Sequence, residues 1–247
     1  MTDDDWLFST LSRQFDDCIR PQLMPLPADE KQAGTFLLSE CADAQLRRQS
    51  PPAPSLPDKA AGSLNTAITK MPPTPLGMAL MPYLTKLGWY QIYDSPTIDS
   101  TLASGLFASH LIGARGPLMS DTIYMGLFLL APHTHYPLHQ HPATEIYHIL
   151  SGSIDISHSR TAPPRTYQPG SISVTPSMRV HQLQTSDEPC LILYLWGGDL
   201  SSYNWWWHCD ESGQWQRTEW QRRSDSSWKA CDAEILSDTE MRAAERN

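Results

Sequence analysis

From about residue 100 onward, apolar and polar positions alternate in short runs, the period of two expected of strands with one face against a core. Eight or nine such runs fall at 106–114, 122–130, 145–150, 153–158, 171–175, 179–184, 190–196, 204–209 and 214–221, separated by Gly, Pro, Ser or Asp. Short strands at this spacing predict an antiparallel barrel, closed or sandwiched, with inward side chains around a central pocket. Before residue 100 the period is helical. Trp6, Leu7, Leu11, Phe15 and Ile19 define a helix capped by Thr2 or an Asp of 3–5 and ended near Arg20 by Pro21. Phe36, Leu37, Cys41 and Leu46 mark a second, from Ala28 to about Arg48, and weaker helical signals at 59–70 and 77–87 follow a proline-rich break at 50–57. The expected organisation is mainly β: a helical extension over 1–100, a barrel over 101–222, and a charged tail over 223–247, frayed or forming a surface helix.

Composition narrows the class. With 247 residues, 40% of them hydrophobic, and nine Trp, the chain can bury a full core. A formal net charge of -9 disfavours nucleic acid and anionic membranes as partners. Arg222-Arg223 reads as a solvated strand end. Five scattered cysteines without a CxxC fit reduced thiols in a cytoplasm. The acidic start, Met1-Thr2-Asp3, differs from a signal peptide, and the longest apolar run, 123–131, is too short to span a bilayer. A soluble cytoplasmic protein is expected, either monomer or homodimer, with the helical extension as a dimer surface.

The chemistry is concentrated. Five of the nine histidines, at 133, 135, 139, 141 and 148, lie within 16 residues of one another. His139 and His141 are two apart, so on a strand both imidazoles share a face; Glu145 and Tyr147 share theirs, with Pro142 interrupting the ladder between the pairs. Ser151-Gly152-Ser153 closes the segment with a turn. A fourth donor is available at His181, in a strand that follows the Pro169-Gly170 turn. Three imidazoles and a carboxylate with open positions suit one divalent transition metal: Fe, Mn, Co, Ni or Zn. Chance clustering in a polar loop would not give this spacing. His133 and His135 are expected at the pocket rim rather than among the ligands.

These residues carry a resemblance. His139-x-His141-x3-Glu145-x6-Gly152 resembles the first motif of the cupin superfamily, and Gly170-x5-Pro176-x4-His181 resembles the second. That resemblance implies a cupin double-stranded β-helix, jelly-roll-like, with His139, His141, Glu145 and His181 as metal ligands. His133 stands where many cupins have a glycine, and Met178 and Thr185 replace a Gly and an Asn of the second motif. A narrower resemblance, over 136–185, is to the cupin-type dimethylsulfoniopropionate lyases, which carry a tyrosine three residues before the first ligand and another two after the glutamate, as Tyr136 and Tyr147 stand here. A helical N-terminal extension also fits them. The resemblance implies β-elimination of a small zwitterion to dimethyl sulfide and acrylate. The metal would bind the substrate carboxylate, Tyr147 would take the α-proton, and Tyr136 would hydrogen-bond the carboxylate or act as a supporting acid. A sulfonium donates no hydrogen bond, so aromatic faces should receive it. Trp196 and Tyr194, on one strand face, are the candidates, with His135 beside them; of Trp205-Trp206-Trp207 at least one must face away from the barrel. Two other classes remain open: a metal-dependent cupin dioxygenase or isomerase acting on a small carboxylate with the same ligands, and a non-enzymatic small-molecule-binding cupin.

Overall fold

A computed structural model of the chain describes residues 3–50, 53–93, 98–201, 203–222 and 228–245. In chain order the elements are α1 (Asp3–Leu23), α2 (Ala28–Asp43), β1 (Arg47–Arg48), α3 (Asp58–Lys70), α4 (Pro75–Leu80), β2 (Tyr90–Gln91), α5 (Ser100–Gly105), β3 (Leu106–Ile112), β4 (Leu118–Met119) and β5 (Ile123–Leu130). There follow β6 (His135–Gln140), β7 (Ala143–Ser151), β8 (Ile154–Ser157), β9 (Arg165–Tyr167), β10 (Ile172–Thr175), β11 (His181–Gln184), β12 (Cys190–Gly198), β13 (Tyr203–Cys209), β14 (Trp215–Arg222), β15 (Trp228–Ile235) and α6 (Asp238–Ala243). The strands form two sheets rather than one closed barrel. The first runs β1-β4-β3-β5-β12-β7-β10 with β2 on β3, and the second β15-β14-β13-β6-β11-β8-β9.

Three layers result, and the alternation along β12 shows why. Leu191, Leu193 and Leu195 pack with Leu11, Phe15, Leu37 and Leu64 of the helices, whereas Cys190, Ile192 and Tyr194 pack with Ile154, Ile156 and Leu183 of the second sheet. A strand covered on both faces reads as a continuous apolar run, as 190–196 does. Helices therefore close the outer face of the first sheet, and the inner faces of the two sheets enclose the second core. Among the described residues, no helix is long and apolar enough to cross a membrane.

Several expectations shift. The α1 helix continues through Pro21 to Leu23, because Leu23 extends the buried stripe of Leu11, Phe15 and Ile19 and lies over Gly34 of α2, where a Cβ would meet it at 2.4 Å. Thr2, the side chains of Trp6 and Leu7, Pro51-Pro52 and Arg223 lie outside the described residues. The α2 helix stops at Asp43, since the chain becomes extended at Ala44 and Arg47–Arg48 then pair with β4. Its buried side carries Leu37, Leu38 and Cys41, which leaves Phe36 exposed. Residues 228–235, expected within a charged tail, instead form β15, paired antiparallel with β14, followed by the surface helix α6. Among the described residues, two that are not glycine adopt left-handed backbone, His133 at φ 55° and Met178 at φ 61°. These are two of the positions where the family motifs carry glycine, the residue that takes such a conformation without strain.

Candidate metal centre

The expected donors come from both sheets. His139 lies one residue before the end of β6, His181 opens β11 directly opposite it, His141 follows β6, and Glu145 points inward from β7. Ligand nitrogens of His139, His141 and His181 all lie within 4.8 Å of one another, and all three side chains are buried. Each Nδ1 sits against a backbone carbonyl: His139 on Pro137 at 2.7 Å, His141 on Ala143 at 2.9 Å, His181 on Arg179 at 3.0 Å. A carbonyl only accepts, so Nδ1 carries the proton and Nε2 presents a lone pair. Glu145 Oε2 lies 3.9 Å from His141 Nε2 and 3.6 Å from His181 Nε2.

Those last three atoms are buried and have no hydrogen-bond partner among the described residues. Unpartnered buried polar atoms are rare because each forfeits its hydration, and three converging on one point need a common partner. Burial pushes His139 down to about 3 and His141 down to about 4, and drives His181 well below its ordinary value. It lifts Glu145 to about 8 against hydrogen bonds from Tyr147 and Trp196. The pocket thus keeps the imidazoles neutral and leaves a carboxylate in want of positive charge. The buried imidazole triad fits a single metal ion.

Beside these groups opens a cavity of about 110 Å³ lined largely by aromatic side chains. Tyr147 hydrogen-bonds Glu145, and Trp196 donates its indole N–H to Glu145 Oε1 while its ring leans on His141 at 4.6 Å. On the neighbouring strands Tyr194 stands directly opposite Tyr147, and Trp196 opposite Glu145. Tyr136 lies flat on His139, ring centroids 3.8 Å apart. They stand three positions apart, which simple alternation would put on opposite faces. A bulge resolves this: His181 and Leu183, two apart on β11, face His139 and Tyr136, three apart on β6. Leu138 consequently turns to the outer core with Val180 and Trp207.

His139, His141, Glu145, Tyr136, Tyr147, Tyr194 and Trp196 all line the cavity, with His181 buried against His139. His135 is different. It is exposed, its Nε2 3.4 Å from Gln182 Oε1, and it is not part of the lining, because the bulge turns only Tyr136 and His139 inward. His133 is exposed as well, 3.6 Å from Asp187. In the tryptophan run, Trp206 packs inward while Trp207 is buried on the opposite face with its N–H on Gln140, as alternation requires. Sequence reasoning missed Tyr90, Tyr93, His110, Tyr124, Asn204 and Trp228, which also line the cavity. They come from β2, β3, β5, β13 and β15 and the loop after β2, and only sheet pairing brings them together.

Two sandwiched, mainly antiparallel sheets, N-terminal helices on one outer face and an imidazole triad between the sheets define a cupin-like protein whose buried triad fits a metal ion. The dimethylsulfoniopropionate (DMSP) lyase family model matches residues 64–192, just over half the sequence, and the chain belongs to that family. It is 34% identical over 114 residues to dimethylsulfoniopropionate lyase DddQ of Ruegeria pomeroyi, a match covering 46% of this chain and 56% of the relative. The aligned part thus spans about half the length of that curated relative. A crystal structure of the Ruegeria pomeroyi DddQ superposes with a TM-score of 0.60 at 27% identity, covering 81% of this chain and 95% of that one. A structure from work on the DMSP lyases RdDddP and RnDddQII shares the fold, with a TM-score of 0.56 at 21% identity over 79% of this chain and 94% of that one.

Proposed function

We propose that this chain cleaves dimethylsulfoniopropionate by β-elimination to dimethyl sulfide and acrylate, with one divalent metal ion held by His139, His141, Glu145 and His181. The observation that carries the reading is the Tyr147–Glu145 hydrogen bond, set beside three buried imidazoles at one wall of an aromatic cavity. Family membership supports the substrate. A divalent cation bound there supplies a Lewis acid for the substrate carboxylate and positive charge that favours the Tyr147 phenolate. That charge matters, because burial and the neighbouring Glu145 push the Tyr147 phenol well above its ordinary value.

Tyr147 then accepts the α-proton. The C–H electron pair becomes the new double bond, and the carbon–sulfur pair departs with neutral dimethyl sulfide. Tyr136 holds the carboxylate through its hydroxyl, beside His139. Trp196 and Tyr194 give the sulfonium an aromatic wall, where a cation without hydrogen-bond donors is held by ring faces. His135, exposed and outside the lining, has no part in this site.

Headspace gas chromatography over purified, metal-loaded protein given dimethylsulfoniopropionate tests the reading. Dimethyl sulfide should appear from the parent, and Tyr147→Phe should keep its metal while losing at least about a hundredfold in rate. Parent-like release from that variant would remove Tyr147 as the base, and silence from the metal-loaded parent would remove the lyase reading itself.

A further inference from the structure

Three of the four expected donors are aimed by the backbone. The Nδ1 of each imidazole meets a carbonyl, which fixes the ring and turns Nε2 toward the common point. A carboxylate is harder to aim, because its two oxygens are equivalent and it turns about its last bond. In Glu145 the two oxygens have different surroundings. Oε1 accepts the indole N–H of Trp196, whereas Oε2 is buried without a hydrogen-bond partner among the described residues, 3.9 Å from His141 Nε2 and 3.6 Å from His181 Nε2.

The indole is itself held in place. Trp196 stands directly opposite Glu145 in the ladder between β12 and β7, and its ring leans on that of His141, centroids 4.6 Å apart and planes 31° from parallel. One side chain therefore touches two of the expected donors, Glu145 on β7 and His141 between β6 and β7. An indole N–H can only donate, and a bond from it to a carboxylate is stronger than one between neutral groups.

We propose that Trp196 is a positioning residue for the metal ligand Glu145: its N–H holds Oε1 and so presents Oε2 alone to the ion. This rests on the reading of Glu145 as a ligand. The indole ring by itself supplies packing against His141 and an aromatic wall for the substrate, and the N–H adds direction. The same carboxylate also accepts from Tyr147, its neighbour two positions along β7. Trp196 is the donor that reaches it from another strand, 51 positions away, and so ties the ligand to the adjoining ladder. Without that bond the carboxylate is free to turn, and the ordering of the site is lost from the binding of the ion.

Zinc-loaded protein equilibrated against a chromogenic chelator reads the effect with no substrate present. Trp196→Phe keeps an aromatic ring beside His141 and deletes the N–H. It should weaken zinc by about tenfold to a hundredfold, the range found when a group that orients a ligand is removed. Glu145→Ala should weaken zinc as well, and in that background Trp196→Phe should bring no further loss, because the N–H has nothing left to hold. If Trp196→Phe fails to fold, exchanging the Trp196 indole for benzothiophene keeps the outline of the ring, puts sulfur in place of the N–H, and should give the same loss.

Parent-like zinc affinity in the variant without the N–H would overturn the proposal. So would a loss that persists undiminished in the Glu145→Ala background, since it would come from packing on His141. Parent-like zinc affinity in Glu145→Ala would overturn it together with the four-ligand reading. A parent whose zinc affinity depends on Trp196 in this way, yet which releases no dimethyl sulfide, would uphold the proposal and end the lyase reading alone.

Discussion

His148 offers a test of how burial alone sets acid sensitivity. The side chain stands on β7 beneath α1, 2% exposed, with its ring nitrogens 3.8 and 3.9 Å from Cys18 Sγ. A neutral sulfur is a weak partner, so burial goes uncompensated and pushes the imidazole from 6.5 down to about 4. As pH falls from 6.5 towards 4, the unfolded chain takes up this proton and the native one does not. Stability present above pH 6.5 is lost across that window, to a limit of about 3 kcal/mol, with about 2 kcal/mol gone by pH 5. His148→Leu removes the titrating group and fills the same apolar seat. Urea denaturation followed by tryptophan fluorescence at pH 7, 6 and 5 should show the variant losing about 2 kcal/mol less than the parent between pH 7 and 5. The other buried histidines titrate in both proteins and cancel in the difference. Parallel stability curves for the two would show that His148 is not kept neutral by burial, and the reasoning would fail.

Three further outcomes are expected. Met178→Gly should stabilise the protein by about 1 kcal/mol in denaturant titration, because φ 61° strains an L-residue and the exposed side chain contributes little packing. Gly126→Ala should destabilise by about 1–3 kcal/mol and weaken substrate binding, since its Cβ would sit 2.2 Å from the Ser109 carbonyl oxygen and 2.7 Å from the Tyr194 hydroxyl. His181→Ala should fail to hold stoichiometric metal by elemental analysis, and chelation of the parent should lower Tm by about 5–10 °C, reversed by added zinc.

The local half of the site could be read from the chain because its grammar is local. His139 and His141 share a strand face by parity, Glu145 and Tyr147 share another, and each pair lies within three residues along the sequence. The apolar run 190–196 was legible as a strand, whereas the covering of both its faces emerged only with the two cores. The helical extension was legible in its stripes, but the face of the sheet it would cover was not, since an amphipathic stripe does not name its partner. Residues 228–235 misled for a related reason: exposed edge strands carry polar side chains, and β15 resembles a tail until β14 pairs with it.

Sequence by itself determined nine of the strands between residues 106 and 222, a cluster of imidazoles with a carboxylate nearby, and a composition suited to a buried core. Tertiary structure alone decided that a bulge in β6 turns Tyr136 onto His139, that His135 is left outside, and that Tyr93 and Asn204, separated by 111 residues, close a ring of hydrogen bonds beside the triad. Spacing along a strand fixes which way a side chain points, whereas register between distant strands fixes what it meets, and that register is set by packing of the whole sandwich.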